Sequence, residues 1–194
     1  MTYERLSIPD VVLCTPTLHK DNRGYVYESF KEKSFCEFLG YDIHFCQDNI
    51  SLSQRNVIRG LHTNTPHFAQ SKLISVLKGS IFDVAVDFRV GSPTFKKYVA
   101  VELNSQTNQQ LFVPRGFLHG FSVLNEEALV MIKVDRYFAQ GESIGVAYSD
   151  QELKIDWKVV DPVLSLADSL LPPLHALSSS FKYAQEYDMK KFCV

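Results

Sequence analysis

Apolar and polar residues alternate along most of this chain with a period of two. Lys72-Leu-Ile-Ser-Val-Leu-Lys78 stops at Gly79, and Ser80-Ile-Phe-Asp-Val-Ala-Val-Asp-Phe-Arg-Val90 resumes the alternation as far as Gly91-Ser-Pro93. Side chains that repeat every second residue share one face of a pleated strand, so this region reads as strand, tight connection, strand. The same pattern places strands at Gly24 to Phe30, Ile43 to Ser51, Lys97 to Leu103, Gln110 to Val113, Gly120 to Val123, Leu129 to Tyr137 and Gly145 to Tyr148. In the first half only Lys31 to Leu39 has helical spacing. Many short strands set off by Gly, Pro and Asn turns predict an all-β protein, an antiparallel sandwich or barrel. After Trp157 the pattern changes: Pro162, Pro172, Pro173 and Ser178-Ser-Ser180 make residues 161–194 a partly helical tail rather than a second domain. Residues 1–194 therefore read as one domain, without internal repeats.

Composition narrows the function. With 194 residues, 45% of them hydrophobic, the chain can bury a full core. A net charge of -2 and the lack of a long Lys/Arg run argue against a surface that tracks nucleic-acid phosphates. Small acidic substrates met by local cations fit better. Cys14, Cys36, Cys46 and Cys193 form neither a CxxC pair nor a disulfide framework, and the N-terminus does not resemble a signal peptide. A reduced, cytoplasmic setting is expected. No apolar run reaches the roughly 18 residues of a membrane helix.

The chemistry concentrates around Asn49 to His62 and Lys72. Arg59 stands three residues before His62, Lys72 ten after it, and a second histidine, His119, closes Pro114-Arg-Gly-Phe-Leu-His119 just past a strand. A lone histidine is ordinarily a surface residue or a satisfied core residue. One flanked by cations suits proton abstraction beside a carbonyl: the base takes a carbon-bound hydrogen while the cation holds the enolate oxygen. A carboxylate behind the imidazole would set its tautomer, and Asp168 and Asp83 are both candidates. A cupin metal centre asks for an HxH pair with a following glutamate, whereas His62 is followed by Thr63-Asn64, so no metal ligand set is assigned.

At this point the motifs carry a resemblance. Asp21-Asn-Arg-Gly24 with Glu28-Ser-Phe30, Gln47-Asp-Asn49, Val57-Ile-Arg-Gly-Leu-His62, Ala69-Gln-Ser-Lys72, Phe82-Asp-Val-Ala-Val-Asp87, Gly91-Ser-Pro-Thr-Phe95, Pro114-Arg-Gly-Phe-Leu-His-Gly-Phe121 and Ile155-Asp-Trp157 occur in order over most of the chain. Together they resemble the nucleotide-sugar 3,5-epimerases typified by dTDP-4-dehydrorhamnose 3,5-epimerase, metal-independent cupins of deoxysugar biosynthesis. The resemblance implies an antiparallel jelly-roll (cupin) barrel with short peripheral helices and a site in its mouth. It implies no cofactor, because the substrate's own ketone supplies the acidity. It also implies a homodimer, in keeping with open strand edges near the N-terminus. The implied substrate is a nucleotide-linked, dTDP-type 4-keto-6-deoxy sugar.

Position by position, the resemblance makes His62 the base, Asp168 its partner and Lys72 the cation at the 4-keto oxygen. Arg23, Glu28, Gln47, Asn49, Arg59 and His119 match positions that hold the sugar, the diphosphate and the base, some of them from a neighbouring subunit. Two positions depart from the pattern. Ile132, before Lys133, stands where the family has a tyrosine that returns a proton on the face opposite the base, and Ala167 stands where relatives often carry a basic residue. Tyr137, Tyr25, Tyr98 and Tyr148 are the other tyrosines that could stand in for it, and an ordered water could also return the proton. Losing a positioned acid costs the step it serves about 10²- to 10⁴-fold. The expectation is thus an enolate epimerase inverting C3 and/or C5, with a single centre, C3, favoured. The alternative is a nucleotide-sugar-binding cupin without turnover.

Overall fold

The computed structural model describes residues 1–183, so Cys193 and the end of the expected tail, residues 184–194, lie outside the described residues. In chain order the strands are β1 (Thr2–Arg5), β2 (Val12–Thr15), β3 (His19–Asp21), β4 (Gly24–Val26), β5 (Gln47–Gln54), β6 (Ile58–Asn64), β7 (Lys72–Lys78), β8 (Ser80–Asp87), β9 (Tyr98–Asn104), β10 (Gln110–Val113), β11 (Phe117–Val123), β12 (Glu127–Val134) and β13 (Ser143–Gly145). Helix α1 (Glu32–Leu39) lies between β4 and β5, and α2 (Leu166–Ser169) follows β13. One sheet has the order β1-β2-β10-β7-β12-β5 and the other β13-β6-β11-β8-β9, with every neighbouring pair antiparallel. This is the expected all-β jelly roll of cupin type.

Period-two patterning explains the packing. Ile74, Val76, Leu111, Val113, Ala128 and Val130 from the first sheet meet Ile81, Ala85, Leu103, Phe117, Phe121 and Val123 from the second in one buried cluster. Burying such faces at roughly 25 cal/mol per Å² is what drives two sheets together. The outer side of the second sheet is covered by Trp157, Leu174 and Phe181 from the C-terminal segment. On the first sheet, Phe35 and Leu39, one turn apart on α1, cover Val12, Leu73 and Phe112. Gly40, in the left-handed region with φ 85°, ends that helix, and its N–H is donated to the Cys36 carbonyl. Between β7 and β8 the chain needs Gly79: its φ is +80°, and a Cβ there would lie 2.2 Å from the Glu127 carbonyl oxygen.

Several expected strands have different limits. Gly24 to Phe30 shortens to β4, since its pairing is confined to the fully exposed β3–β4 hairpin and no sheet extends it. Ile43 to Ser51 becomes Gln47–Gln54, because Ile43 and Phe45 turn to pack with α1. The run ending at Tyr137 stops at Val134; Asp135 is drawn inward, accepting from the Ser71 N–H at 2.7 Å and the Arg115 Nε at 3.1 Å. The run to Val90 ends at Asp87, whose carboxylate takes bonds from Arg89, Ser92 and Thr94. The Gly145 to Tyr148 segment pairs earlier, as Ser143–Gly145. The segment bearing His62, assigned no element from the pattern, is strand β6.

Candidate active site

A one-residue irregularity in β6 builds the centre of the site. His62 stands opposite His119 on β11, but Arg59 stands opposite Phe121, so three steps on β6 match two on β11. In a regular strand residues three apart face opposite ways. The extra residue turns both Arg59 and His62 toward the space between the sheets. Gly60 permits this close approach: with φ at +109°, a Cβ there would sit 2.6 Å from the His119 carbonyl oxygen and 2.7 Å from the Gly120 Cα.

Two histidine–aspartate pairs result. His62 Nε2 lies 2.6 Å from Asp168 Oδ1, with Asp168 delivered by α2 from outside the barrel. His119 Nε2 lies 2.9 Å from Asp83 Oδ1, both groups on adjacent strands of the second sheet. Asp168 accepts the Nε2–H of His62, which leaves Nδ1 of that ring with a lone pair. Burial pushes the His62 pKa below its ordinary 6.5; Asp168 opposes this, while Lys72 and His119 add to it. The ring is therefore neutral, and a base, near pH 7.

The facing sheet supplies Lys72, the first residue of β7, on the same side as the core residues Ile74 and Val76. Burial pushes its ammonium down to about 8, with Asp83 pulling the other way. Along β5, Gln47, Asn49, Ser51 and Ser53 alternate onto one face by the period of two. Gln47 Nε2 donates to Asn49 Oδ1 at 2.8 Å, and Arg59 Nε donates to Ser53 Oγ at 2.8 Å. Gln47 also accepts the Phe138 N–H at 3.0 Å, which ties the loop after β12 to this wall. Ile132 pairs with Asn49 on one side and Ile74 on the other, and its side chain packs on the central core. Ile132 thus puts an aliphatic side chain on this wall.

Of the sequence-derived residues, the structure brings His62, Lys72, Asp168 and His119 together, with Arg59, Gln47 and Asn49 along the adjoining β5 wall. Arg23 and Glu28 are not among them: both are exposed on and after the β3–β4 hairpin, and Arg23 pairs with Asp21. The tyrosines are placed elsewhere. Tyr148 packs in the outer cluster, Tyr98 stands opposite outward-facing Val86, and Tyr25 and Tyr137 are exposed. Sequence reasoning missed Ser53, Ser165 and the Arg115–Asp135–Ser71 link. Only Ser165, three residues before Asp168, left a readable signal, that of a helix cap. Among the described residues no three His, Cys, Asp or Glu side chains converge to share a metal ion.

Comparison with known proteins gives the family. The family described as dTDP-4-dehydrorhamnose 3,5-epimerase matches residues 5–176. The dTDP-4-dehydrorhamnose 3,5-epimerase of Shigella flexneri is 42% identical over 168 residues, covering 87% of this chain and 93% of that protein. The crystal structure of a Legionella pneumophila dTDP-6-deoxy-D-glucose-3,5-epimerase in complex with dTDP-4-keto-L-rhamnose superposes with a TM-score of 0.87 at 39% identity, covering 91% and 94% of the two chains. A double mutant of a 3'-monoepimerase from Streptomyces bikiniensis, in complex with dTDP, superposes with a TM-score of 0.84 at 30% identity, covering 88% and 86%. The histidine and tyrosine altered in it are seventy residues apart, the separation of His62 and Ile132 here.

Proposed function

Because this chain belongs to the dTDP-4-dehydrorhamnose 3,5-epimerase family and is an epimerase, we propose that it acts on a dTDP-linked 4-keto-6-deoxy sugar and inverts one centre, C3. The observation that carries the reading is the His62–Asp168 pair facing Lys72 across the space between the sheets. Nδ1 of His62 takes the proton from the carbon beside the ketone, and the C–H electron pair moves into the carbonyl to leave an enolate oxygen. The Lys72 ammonium holds that charge, His119 lines the sugar's side of the site, and Arg59 with the Gln47–Asn49 wall receives the diphosphate and base. A proton then returns to the opposite face of the same carbon, which inverts it.

Ile132 bears on the last step. The monoepimerase relative has a tyrosine at this separation, so isoleucine does not by itself select C3 over C5. What it removes is a positioned acid, which slows every proton return by about 10²- to 10⁴-fold and weighs twice on an enzyme that must invert two centres. Water supplies the proton in this reading. A binder without turnover would have no use for a base, its carboxylate and an enolate cation set together, and the relatives are enzymes.

The protein works as a homodimer in this proposal. The β3–β4 hairpin carries Arg23 and leads to Glu28 with Tyr25 and Val26 exposed, which suits a projection that completes the site of a second copy. Among the described residues no helix is long and apolar enough to cross a membrane, and a cytoplasmic setting is proposed from the nucleotide-sugar substrate.

Incubation with dTDP-4-keto-6-deoxyglucose in deuterated water, followed by NMR of the sugar, tests the reading. Deuterium and inversion at C3 alone are expected. Exchange with inversion at both C3 and C5 would overturn the single-centre proposal, and no exchange at either would overturn the substrate assignment.

A further inference from the structure

Asp168 reaches His62 from a short turn whose own residues bury little. Helix α2 is four residues long and Asp168 is its one buried residue; Leu166 and Leu170 are 79% and 73% exposed. The apolar packing that fixes most helices is missing. In its place stands Ser165, whose Oγ accepts the Asp168 N–H at 3.0 Å and whose carbonyl accepts the Ser169 N–H at 3.0 Å. Ser165-Leu-Ala-Asp168 has the spacing of a capping box, in which the acid three residues on normally turns back to the N–H of the cap. Here that carboxylate points to His62, so one half of the box is diverted and the serine is left to cap the turn.

The flanks of this turn are fixed more firmly. Val163 donates to the Asn56 carbonyl at 2.9 Å and accepts from the Ile58 N–H at 3.0 Å, while the Pro172 carbonyl accepts from the Ala147 N–H at 2.9 Å. Leu164 packs on the outer cluster and Leu171 lies against Gly145, so the flanks are held on both sides, and the cap is the side-chain hydrogen bond to the backbone of Asp168 itself. We infer that Ser165 is a positioning residue of the epimerisation: by capping α2 it holds the Asp168 carboxylate on Nε2 of His62. The inference rests on the reading of His62 as the base.

The test compares Ser165→Ala with Ser165→Thr, which keeps a capping hydroxyl, and follows solvent deuterium exchange into the substrate across pH. Asp168 is the group that raises the His62 pKa, against burial, Lys72 and His119. A displaced Asp168 therefore leaves only lowering influences. Ser165→Ala should lose about 5- to 30-fold in kcat, the scale of a lost cap, with KM changed less and the acidic limb of the profile moved to lower pH. Ser165→Thr should restore both. A wild-type profile in Ser165→Ala, a rate loss with the acidic limb unmoved, or failure of threonine to restore it would each overturn the inference. His62→Asn, measured alongside, separates the two readings: if it still exchanges, the base assignment falls and this inference with it. If it does not and Ser165→Ala behaves as wild type, only the role of Ser165 falls.

Discussion

The two histidine–aspartate pairs contain the same groups at nearly the same separation, 2.6 and 2.9 Å, yet they are built in opposite ways. His119 and Asp83 come from neighbouring strands of one sheet, and their side chains are 5% and 0% exposed. His62 comes from the bulged strand β6 and is 37% exposed, while its partner arrives on a short turn from the C-terminal segment. The first pair is part of the wall. The second is assembled against it and keeps an open side. A base must meet substrate and pass its proton on, so exposure and a separately delivered carboxylate suit that task. A ring that only lines the site gains from rigidity, because nothing has to reorganise as charge develops beside it.

The difference can be broken most directly at the rings. His62→Asn keeps an amide in place of the imidazole but has no base, and exchange of substrate hydrogen with solvent should fall by about 10²- to 10⁴-fold. His119→Asn retains a hydrogen-bond donor and should fall less. Rates of deuterium incorporation measured by NMR would decide it, and equal losses would mean that both rings share the proton transfer.

Stability should separate the partners in the reverse order. Asp83→Ala leaves the Nε2–H of a buried ring without an acceptor, a loss of about 1–3 kcal/mol. Asp168→Ala opens a site at the edge of the barrel whose histidine already has exposed surface, so its cost in urea unfolding should be smaller. A larger loss for Asp168→Ala would show that the C-terminal segment is held on through this pair, contrary to the assembly described above.

The same contrast explains what the sequence made legible. Alternation identified β7 and β10 to the residue, β9 to within one residue, and β8 with its end placed three residues too far, because the two faces of these strands pack against different layers. It left β6 without an element, since a bulge breaks the period of two at Gly60, and that is where the base sits. The hairpin β3–β4 was overextended because its residues have no buried face to pattern them. For the site, the need for a carboxylate behind the base left Asp83 and Asp168 as rivals for one histidine, and the ordered motifs brought His62, Lys72 and Asp168 forward. The structure gives each a histidine of its own. Pairings of that kind depend on register between strands far apart in sequence, which a local pattern does not encode. Ser53 is only six residues before Arg59 but on the opposite sheet, and it was hidden because the irregularity in β6 sets which way Arg59 points.

The smallest effects are shifts in pH, and they sharpen the comparison furthest because the two carboxylates act on opposite limbs. Activity requires His62 neutral and Lys72 charged, so kcat/KM should rise with pH through the His62 pKa, below 6.5, and fall as Lys72 loses its proton at about 8. Asp168 raises the His62 pKa; its replacement by Asn should move the acidic limb to lower pH and leave the basic limb in place. Asp83 raises the Lys72 pKa against burial. Asp83→Asn keeps an oxygen for His119 but removes the charge, so the basic limb should move below 8 while the acidic limb stays. Each substitution then narrows or widens the bell from one side only: Asp168→Asn widens it toward acid, and Asp83→Asn narrows it from the alkaline side. Profiles in which Asp83→Asn shifts the acidic limb would mean that the wall pair tunes the base as well, and that the division of labour between the pairs does not hold.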